Sequence, residues 1–350
     1  MRIVHVTMEM FKTSGVSEFC KRLSEGQAEA GHEVTLVVSH DYDNAVGGNV
    51  RVLKAQGLER LGFRPDLVQI HGLWSLFSAR ALSWCLANGV PYVVSPHGCM
   101  MPRVFRKGWL KKHVFWMLFL RAKVLKANLI HCTSVAEEVE VGKRLGCDVP
   151  RTVVVPLGTM LPAHYNAGVK QGPFTVLFLG RISDEKGLPV LLDAWKILYG
   201  EGDRLIMAGP DWRGYGETLK AKIEAEGIEG VEFVGRADSD QKDELFSKAN
   251  VLVLSSPMEN FSLVVLEALA RAVPVIATKG TPWGDVEKHK SGWWVDYSAV
   301  AIADALKTAK VLPREELRAM GERGRKLVQK KYTWGAVAKA LESEYTMVCE

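Results

Sequence analysis

The feature that most restricts the fold of this chain is an alternation of short β-branched segments with helical ones, which runs through the sequence twice. Helical periodicity is clear in Val16–Ala30 and Val135–Leu145. The predicted strands are Arg2–Thr7, Glu33–Ser39, Asp66–Ile70, Pro91–Ser95, Asn128–Cys132 and Thr152–Pro156, then Phe174–Gly180, Arg204–Gly209, Gly230–Gly235, Asn250–Ser256 and Val273–Thr278. This alternation predicts an α/β protein with two doubly wound parallel sheets, each covered by helices on both faces.

The linker between the two rounds lies in Leu157–Pro173, where Gly, Pro and polar residues replace the periodic pattern. We therefore predict a first domain of residues 1–165 and a second of residues 166–333. Parallel sheets of this kind bind ligands at the carboxyl ends of their strands. With two such domains, the expected site is the cleft between them.

Composition places the chain among folded proteins of a reducing compartment. Its 350 residues are 47% hydrophobic and 24% charged, which is ordinary for a globular protein. No apolar stretch approaches the ~18 to 20 residues that span a bilayer, and no signal peptide is evident. The six cysteines lack C-x-x-C spacing, so we expect reduced thiols and a cytoplasmic location.

A first anion-binding motif follows the strand that opens the second round. Gly180, Arg181 and Lys186 precede the apolar helical segment LPVLLDAWKILY. Two cations near a helix N-terminus suit a diphosphate, because side-chain charge, helix dipole and free amides act together. The alternative is a solvated loop whose cations pair with Asp184 and Glu185. The chain has neither Walker spacing nor a G-x-G-x-x-G turn after a strand, which disfavours nucleoside triphosphatases and dinucleotide oxidoreductases.

Two carboxylates follow the strand that ends at Ser256. Glu259 lies in a loop before a helix, where it can accept hydrogen bonds from sugar hydroxyls or simply stabilise the helix end. Glu267 lies among apolar residues of that helix, and a carboxylate there needs a hydrogen-bonding partner. The two adjacent hydroxyls of a ribose are suitable hydrogen-bonding partners for this carboxylate. The two glutamates are about two helical turns apart, too far to act as acid and base on one bond.

Along almost its whole length the chain resembles the retaining glycosyltransferases of family 4, which have the GT-B fold of two Rossmann-like domains. The matching stretches are GHEVTLVVS, SPHGCM, FLGRISDEKGLPVLLDAW, IMAGPDW, VEFVGR, SSPMENFSLVVLEALA, GTPWGDVEKHKSGWWV and RKLVQKKYTWGAVAKALESEY. Together they are highly specific. The resemblance implies transfer of a sugar, with retention, from a UDP- or GDP-sugar to a glycan or lipid-linked glycan, as in polysaccharide or lipopolysaccharide biosynthesis.

The resemblance also implies roles for particular residues. Those expected at the reacting sugar and diphosphate are Glu259, His97, Arg181 and Lys186. Those expected to bind the nucleotide-sugar donor are Gly15, Gly180, Arg181, Lys186, Arg236, Phe261, Ser262, Leu263 and Glu267. Glu259 would contact the sugar and Glu267 the ribose. No metal and no cofactor are expected, since cations and helix amides would stabilise the departing diphosphate. The last helix, from about residue 334 to 350, would cross back onto the first domain.

Three positions depart from the family pattern. The first-domain turn, usually rich in paired glycines, reads Lys12-Thr13-Ser14-Gly15. The common Glu-Gly-Phe-Gly reads Glu259-Asn260-Phe261-Ser262, and the usual Gly before the Pro-Val strand is Ala272. None of these changes removes a group with a predicted chemical role.

Other signals are better explained by structure. Asp41-Tyr42-Asp43 and Asp238-Ser239-Asp240 have a metal-binding form, but turns and helix caps favour Asp at such positions. No histidines are spaced i, i+4, so no metal site is proposed. His71 could line a ligand site or be a core histidine. A nucleotide-sugar epimerase or a catalytically silent glycan-binding module of the same fold stays as the alternative function, although the expected extra acid/base residues of an epimerase are not evident.

The excess positive charge of the chain is concentrated in one aromatic segment. Residues 1–168 carry 20 Lys and Arg against 13 Asp and Glu, and Arg103–Asn128 holds eight cations and no acid. We expect its apolar run to pack in part on the first domain, with Lys107, Lys111, Lys112, Arg121, Lys123 and Lys126 facing outward. Such a helix suits anionic lipid headgroups, so we expect Arg103–Lys126 to contact the inner face of the cytoplasmic membrane. A solvated basic face is the alternative. The clustered aromatics fit nucleic-acid stacking poorly, and no nucleic-acid partner is expected.

Overall fold

The computed structural model describes residues 1–8, 15–40, 46–102, 104, 108–146, 149–166 and 168–350. The chain forms two compact units, and each holds one parallel β-sheet. Unit 1 is Met1–Gly158 with Trp334–Glu350, and unit 2 is Thr159–Thr333. The predicted class, two Rossmann-like α/β domains, is confirmed.

In unit 1 the described strands pair in the order β3-β2-β1-β4-β5-β6-β7, all in parallel. The strands are β1 Arg2–Thr7, β2 Glu33–Val38, β3 Arg51–Lys54, β4 Leu67–His71, β5 Tyr92–Ser95, β6 Leu129–Cys132 and β7 Thr152–Val154. The helices are α1 Gly15–Glu29, α2 Leu76–Asn88, α3 Trp109–Phe115, α4 Arg121–Val124, α5 Val135–Leu145 and α13 Trp334–Cys349. A π-helical turn, Trp116–Leu120, joins α3 to α4.

The central strands of unit 1 are buried on both faces. Successive side chains of a strand point to opposite sides, so Val4 and Val6 join one hydrophobic core and Ile3 joins the other. The second core includes Phe19 of α1 and Trp334 of α13. Burial on both faces explains why these strands read as mostly apolar runs, interrupted by a few buried polar residues such as His5 and Gln69.

In unit 2 the described strands pair in the order β10-β9-β8-β11-β12-β13, again in parallel. The strands are β8 Thr175–Leu179, β9 Arg204–Ala208, β10 Val231–Gly235, β11 Val251–Leu254, β12 Val275–Thr278 and β13 Gly292–Val295. The helices are α6 Leu188–Leu198, α7 Tyr215–Glu226, α8 Ser239–Lys248, α9 Leu263–Ala270, α10 Asp285–Lys288, α11 Ala299–Val311 and α12 Arg314–Leu327. A π-helical turn, Val328–Tyr332, follows α12.

The units divide after Gly158, whereas the sequence prediction placed the limit at residue 165. The reason is that the intervening segment packs on unit 2. Thr159 forms a parallel bridge with Thr333. The Tyr165 hydroxyl donates to Glu322, and the Arg325 guanidinium lies 4.0 Å from the centre of the Tyr165 ring.

The C-terminal helix α13 belongs to unit 1, where it packs on α1. The rings of Trp334 and Phe19 are 5.9 Å apart, and Ala338 lies against Gly26. Gly158 must be small here, because a Cβ on it would meet the Trp334 ring at 2.7 Å.

The basic aromatic segment differs from its prediction. Among its described residues Trp116, Leu120, Val124 and Ala127 are buried, while Leu118 is 70% exposed and Trp109 62% exposed. Further exposed large apolar side chains of the segment are Val104, Leu110, Val114, Met117 and Phe119. Lys111 and Lys126 are exposed, but Lys112, Arg121 and Lys123 are partly buried. The expectation of an inward apolar run with outward cations was therefore only partly right, and Arg103 and Lys107 lie outside the described residues. No helix in the described part of the chain is both long enough and apolar enough to cross a bilayer.

Candidate functional site

Backbone packing at the end of β8 positions the first predicted cation. The Gly180 amide donates to the Ala208 carbonyl at 2.9 Å. Gly209 has φ 147°, and a Cβ there would meet the Gly180 carbonyl oxygen at 1.8 Å, so this approach requires glycine. Arg181 follows on the surface, with its guanidinium 4.8 Å from the centre of the Trp212 ring. This cation–π contact holds the Arg181 side chain at the strand end.

The second cation, Lys186, ends a short 3₁₀ turn that is bound to β11. The Ser255 hydroxyl donates to the Lys186 carbonyl at 2.8 Å. Gly187 has φ 64°, and a Cβ there would meet the Ser255 carbonyl oxygen at 2.1 Å. Helix α6 starts at the next residue, Leu188, so Lys186 lies beside a helix N-terminus, as the sequence predicted.

Lys186 and Glu259 form the central contact of the site in unit 2. Lys186 Nζ lies 2.5 Å from Glu259 Oε1, and the Ser256 hydroxyl donates to the same oxygen at 2.8 Å. The side chains are 21% and 17% exposed. The Glu259 amide donates to the Gly280 carbonyl at 3.2 Å, which fixes the loop after β11 against the loop after β12. The contact that the structure gives the Lys186 ammonium group thus joins residues 73 positions apart in the sequence.

The loop from Glu259 to α9 is anchored by an aromatic side chain. Phe261 is buried, and its ring lies 5.0 Å from that of Trp283 and 6.3 Å from that of Tyr332. The Trp283 indole N–H donates to the Phe261 carbonyl. The side chain of Phe261 thus anchors the loop. A contact between this residue and a nucleotide-sugar would have to be made by its backbone. Ser262 follows with φ 76°, and α9 begins at Leu263.

Glu267 has a protein partner that sequence reasoning missed. Both of its carboxylate oxygens accept hydrogen bonds from Lys242 Nζ, at 3.0 and 3.2 Å. Its side chain is 28% exposed, so the expected buried carboxylate is only half-buried. No local motif marks Lys242, which lies on the polar helix α8 and reaches Glu267 through the tertiary fold. Any ribose contact would share Glu267 with this ammonium group.

Arg236 is further from these residues in the sheet. It follows β10, is exposed, and is separated from the β8 loop by the intervening strand β9. All three strands are parallel, so the three loops share one edge of the sheet. The structure thus unites Arg181, Lys186 and Glu259 at neighbouring strand ends, with Arg236 at the margin.

In unit 1, His97 follows β5 in a constrained loop. His97 has φ 52° and Gly98 φ 78°, both in the left-handed region. The Gly98 amide donates to the carboxylate of Glu137, which also accepts from the Thr133 amide and hydroxyl at 2.8 and 2.9 Å. Glu137 is fully buried. Sequence reasoning missed it, although Ser134-x-x-Glu137 has the spacing of a capping box.

His97 also begins a row of buried imidazoles. Its Nε2 lies 2.9 Å from His71 Nδ1, and His71 Nε2 lies 3.0 Å from His5 Nδ1. Burial lowers the pKa of His97 to about 3, and the neighbouring His131 adds to this. The group presented by unit 1 is therefore a neutral imidazole at physiological pH. Of the two interpretations of His71, the structure supports a core histidine, although one bonded to His97.

The remaining predicted positions are partly described. Gly15 begins α1, whereas Lys12–Ser14 lie outside the described residues, as do Asp41–Asp43. Asp238 caps α8 in a capping box with Gln241, which confirms the helix-cap interpretation. Within the described ranges no three His, Cys, Asp or Glu side chains are grouped so as to hold a metal ion.

The two-sheet fold is shared with solved glycosyltransferase structures. The HepE protein of Anabaena, solved in complex with UDP and glucose, aligns over 99% of this chain and 100% of its own, with a TM-score of 0.75 and 16% identity. At this identity the likeness concerns the fold. The architecture is that of the GT-B glycosyltransferases.

Sequence comparison gives the family. A model described as "Glycosyl transferase 4-like domain" matches residues 14–158, and one described as "Glycosyl transferases group 1" matches residues 164–327. An uncharacterized glycosyltransferase of Methanocaldococcus jannaschii is 26% identical over 100% of this chain and 99% of its own. A GDP-mannose-dependent alpha-(1-6)-phosphatidylinositol dimannoside mannosyltransferase of Mycobacterium tuberculosis is 29% identical over 94% and 92%. The chain belongs to the family 4 glycosyltransferases, as its motifs indicated.

Proposed function

We propose that this enzyme is a retaining, metal-independent hexosyltransferase that uses a UDP- or GDP-sugar. Its acceptor would be a glycan or lipid-linked glycan of polysaccharide or lipopolysaccharide biosynthesis. The observation that carries the donor proposal is the Lys186–Glu259 pair beside Arg181, at the ends of neighbouring strands. The donor classes are supported by a relative named as GDP-mannose-dependent and by a fold neighbour solved with UDP.

In this proposal, binding of the nucleotide-sugar donor separates Lys186 from Glu259. The diphosphate attracts Lys186 and Arg181, because anions carrying several charges form stronger hydrogen bonds with cations than a single carboxylate does. Glu259 then accepts from hydroxyls of the transferred sugar, while Ser256 keeps its carboxylate oriented. The free amides of the first turn of α6 add positive potential beside Lys186. These groups replace the metal ion that would otherwise stabilise the departing diphosphate.

The other site residues have supporting roles. Glu267 holds the ribose in competition with Lys242. The backbone of Gly180, Phe261, Ser262 and Leu263, with Gly15, allows or makes close contacts to the donor, and Arg236 assists at the margin. His97 contacts a hydroxyl of the sugar. Because its pKa is about 3, it is not expected to store a proton as a general base at pH 7.

The test is turnover of a panel of UDP- and GDP-hexoses by enzyme pretreated with EDTA. We expect slow nucleotide release with one donor, and an α-linked product from an α-linked donor when the acceptor is added, with the anomer read by proton NMR. Lys196→Ala, on the exposed face of α6, is the matched control for Lys186→Ala. A new epimer of the donor, an inverted product or activity restored only by added metal would reject the corresponding part of the proposal.

We also propose that the segment from Trp109 to Lys126 binds an anionic membrane on its cytoplasmic face. Trp109 and Leu118 are exposed beside Lys111, and the segment has no acidic residue. Apolar side chains that enter the headgroup region and nearby lysines, each contributing about 1 kcal/mol, would act together. A lipid-linked acceptor would be reached from this surface.

Vesicle sedimentation tests this second proposal. With phosphatidylglycerol–phosphatidylcholine vesicles, we expect Lys111→Glu with Lys112→Glu, and separately Trp109→Ser with Leu118→Ser, to reduce binding at least tenfold. Lys307→Glu with Lys339→Glu changes net charge equally on other exposed helix positions and should bind as the parent does. Equal sedimentation of all variants would exclude this surface.

A further inference from the structure

A row of hydrogen-bonded side chains starts at His97 and runs through the centre of unit 1. His97 Nε2 contacts His71 Nδ1, His71 Nε2 contacts His5 Nδ1, and His5 Nε2 lies 2.6 Å from Gln27 Oε1. His5, His71 and Gln27 are buried. A neutral imidazole has one N–H and one bare nitrogen, so the hydrogen bond at one end of this row fixes the proton positions in all three rings.

A second row of hydrogen bonds ends at a backbone carbonyl. His131 Nε2 lies 2.7 Å from the Val155 carbonyl oxygen, and the Ser95 hydroxyl lies 3.0 Å from His131 Nδ1. The Gln69 amide nitrogen donates to the Ser95 oxygen at 2.7 Å, and the Tyr345 hydroxyl of α13 donates to the Gln69 amide oxygen. This row therefore includes a residue of the C-terminal helix.

The carbonyl of Val155 gives the second row its direction. A carbonyl oxygen only accepts, so His131 must carry its proton on Nε2 and accept at Nδ1. Ser95 then donates to His131, and its oxygen accepts from the nitrogen of the Gln69 amide. The oxygen of that amide is left to accept from Tyr345, whose own oxygen can accept one further donor.

Gln27 ends the first row and lies near Tyr345 of the second. Its amide nitrogen is buried and has no partner at hydrogen-bond distance among the described residues. Burial raises the pKa of the Tyr345 hydroxyl, and the Gln27 amide acts on it in the opposite direction, as a donor group facing the phenolic oxygen does. The amide oxygen of Gln27 lies 2.6 Å from His5 Nε2, and because this oxygen accepts, His5 donates from Nε2.

We propose that this network fixes His97 in the Nε2–H tautomer, so that Nδ1 of His97 is a hydrogen-bond acceptor for a hydroxyl group of the bound sugar. The same direction requires His71 and His5 to carry their protons on Nε2. His5, His71, Gln27 and Tyr345 are then positioning residues that act through His97. The assignment of the sugar as the bound group rests on the proposed function, whereas the tautomer itself does not.

Neutral rings are a condition for this network. A second proton on His5 or His71 would set two N–H groups against each other, and one on His97 would turn its Nδ1 from an acceptor into a donor. Burial lowers the pKa of His5 to about 4 and that of His71 well below 6.5. The carboxylate nearest the His97 loop, Glu137, is occupied by the Gly98 and Thr133 donors.

The tautomers can be read directly by long-range ¹H–¹⁵N correlation spectra of the ¹⁵N-histidine-labelled full chain at pH 7.5 without substrate. We expect the Nε2–H pattern for His5, His71, His97 and His131, with peaks assigned by single His→Gln variants. An Nδ1–H pattern for His97 would overturn the proposal.

Two substitutions of Gln27 test how the direction is transmitted. Glu in Gln27→Glu can only accept, so it should keep the Nε2–H pattern, whereas Gln27→Met removes the acceptor and should mix the tautomers of all three rings. Donor kcat/KM should fall about tenfold in Gln27→Met, the value of roughly one hydrogen bond, and be restored in Gln27→Glu. His113→Gln, at an exposed position of the same unit, is the control. Unmixed tautomers in Gln27→Met would contradict transmission, and a lack of turnover in every variant including the parent would instead contradict the proposed function.

Discussion

The two units contain the same kind of parallel sheet but differ in the titratable side chains of their candidate sites, which are neutral in unit 1 and charged in unit 2. Both carry a parallel sheet with candidate site residues in loops after the strands, but unit 1 has neutral histidines at the centre of its sheet, while unit 2 has charged pairs at its strand ends. His5, His71 and His131 are fully buried, whereas Lys186 and Glu259 keep some exposure. The histidines can hold a direction of hydrogen bonding without charge, and the ions can exchange partners with a charged ligand.

The difference between the units follows from the free energy of burying each kind of polar group. For a fully buried ion pair, the free energy of desolvation can exceed the attraction between the two charges. Ion pairs are therefore more favourable near solvent, where a ligand can also reach them. A neutral imidazole costs far less to bury when both nitrogens are hydrogen-bonded. Unit 1 is therefore expected to be sensitive to pH and unit 2 to loss of charge.

The largest expected effect is acid unfolding of unit 1 before unit 2. The pKa values of His5 and His131 are lowered from 6.5 to about 4, so below pH 6.5 the unfolded state binds protons that the folded unit does not. Stability is therefore complete above pH 6.5 and is lost as pH falls towards 4, by on the order of 3 kcal/mol for each such histidine.

Hydrogen exchange with mass spectrometry between pH 7 and 4.5 would separate the units. Peptides covering β4 should lose protection at higher pH than peptides covering β8. His131→Gln should shift the unit 1 transition to lower pH, provided the variant retains native spectra at pH 7, whereas His289→Gln, exposed in unit 2, should not. Simultaneous loss of protection in both units would contradict the comparison.

The next effect is kinetic and belongs to unit 2. Lys186→Ala and Arg181→Ala should each lower donor turnover on the order of 10² to 10³, the range for loss of one preorganised charge-stabilising group. Lys186→Ala also leaves Glu259 with Ser256 alone, so its melting temperature must be measured beside its kinetics. A loss of less than about tenfold in both variants would show that the diphosphate binds elsewhere.

The sequence predicted the central strands better than the edge strands. β1, β4, β8 and β11 are buried and mostly apolar, and each was predicted within a few residues. The strands it missed, β3 and β13, lie at the edges of their sheets and are partly exposed. An edge strand buries less surface, so its sequence carries less of the apolar pattern on which the prediction depended.

The site shows the same limit in another form. Motifs found residues with local signals, such as Gly180, Lys186 and Glu259, because each follows a strand. The partners Lys242 and Glu137 come from other helices; the capping-box spacing of Glu137 indicates a contact within its own helix turn, but nothing local indicates the contacts with Glu267 and Gly98. The pairing of Lys186 with Glu259 joins residues far apart in sequence, which spacing cannot reveal.

A smaller effect is expected at the second ion pair of unit 2. Glu267→Gln should raise the donor KM about tenfold with little change in kcat, since a hydrogen bond to a charged group is lost at the ribose and not at the reacting sugar. Lys242→Ala should change folding stability by no more than about 1 kcal/mol, because the pair is half-exposed. A large fall in kcat for Glu267→Gln would assign this carboxylate to the chemical step instead.

The smallest effect concerns two departures from the family pattern that share a backbone property. Ser262 and Ala272, where relatives commonly have glycine, have φ of 76° and 55°. Such conformations cost about 1 to 2 kcal/mol for residues with a Cβ, offset by the greater chain entropy of glycine when unfolded. Ser262→Gly and Ala272→Gly should therefore each stabilise unit 2 by less than about 1 kcal/mol in urea titrations. Only Ser262→Gly, three residues from Glu259, should also change the donor KM. An equal change in KM in both variants would contradict a direct contact between the Glu259–Ser262 loop and the donor.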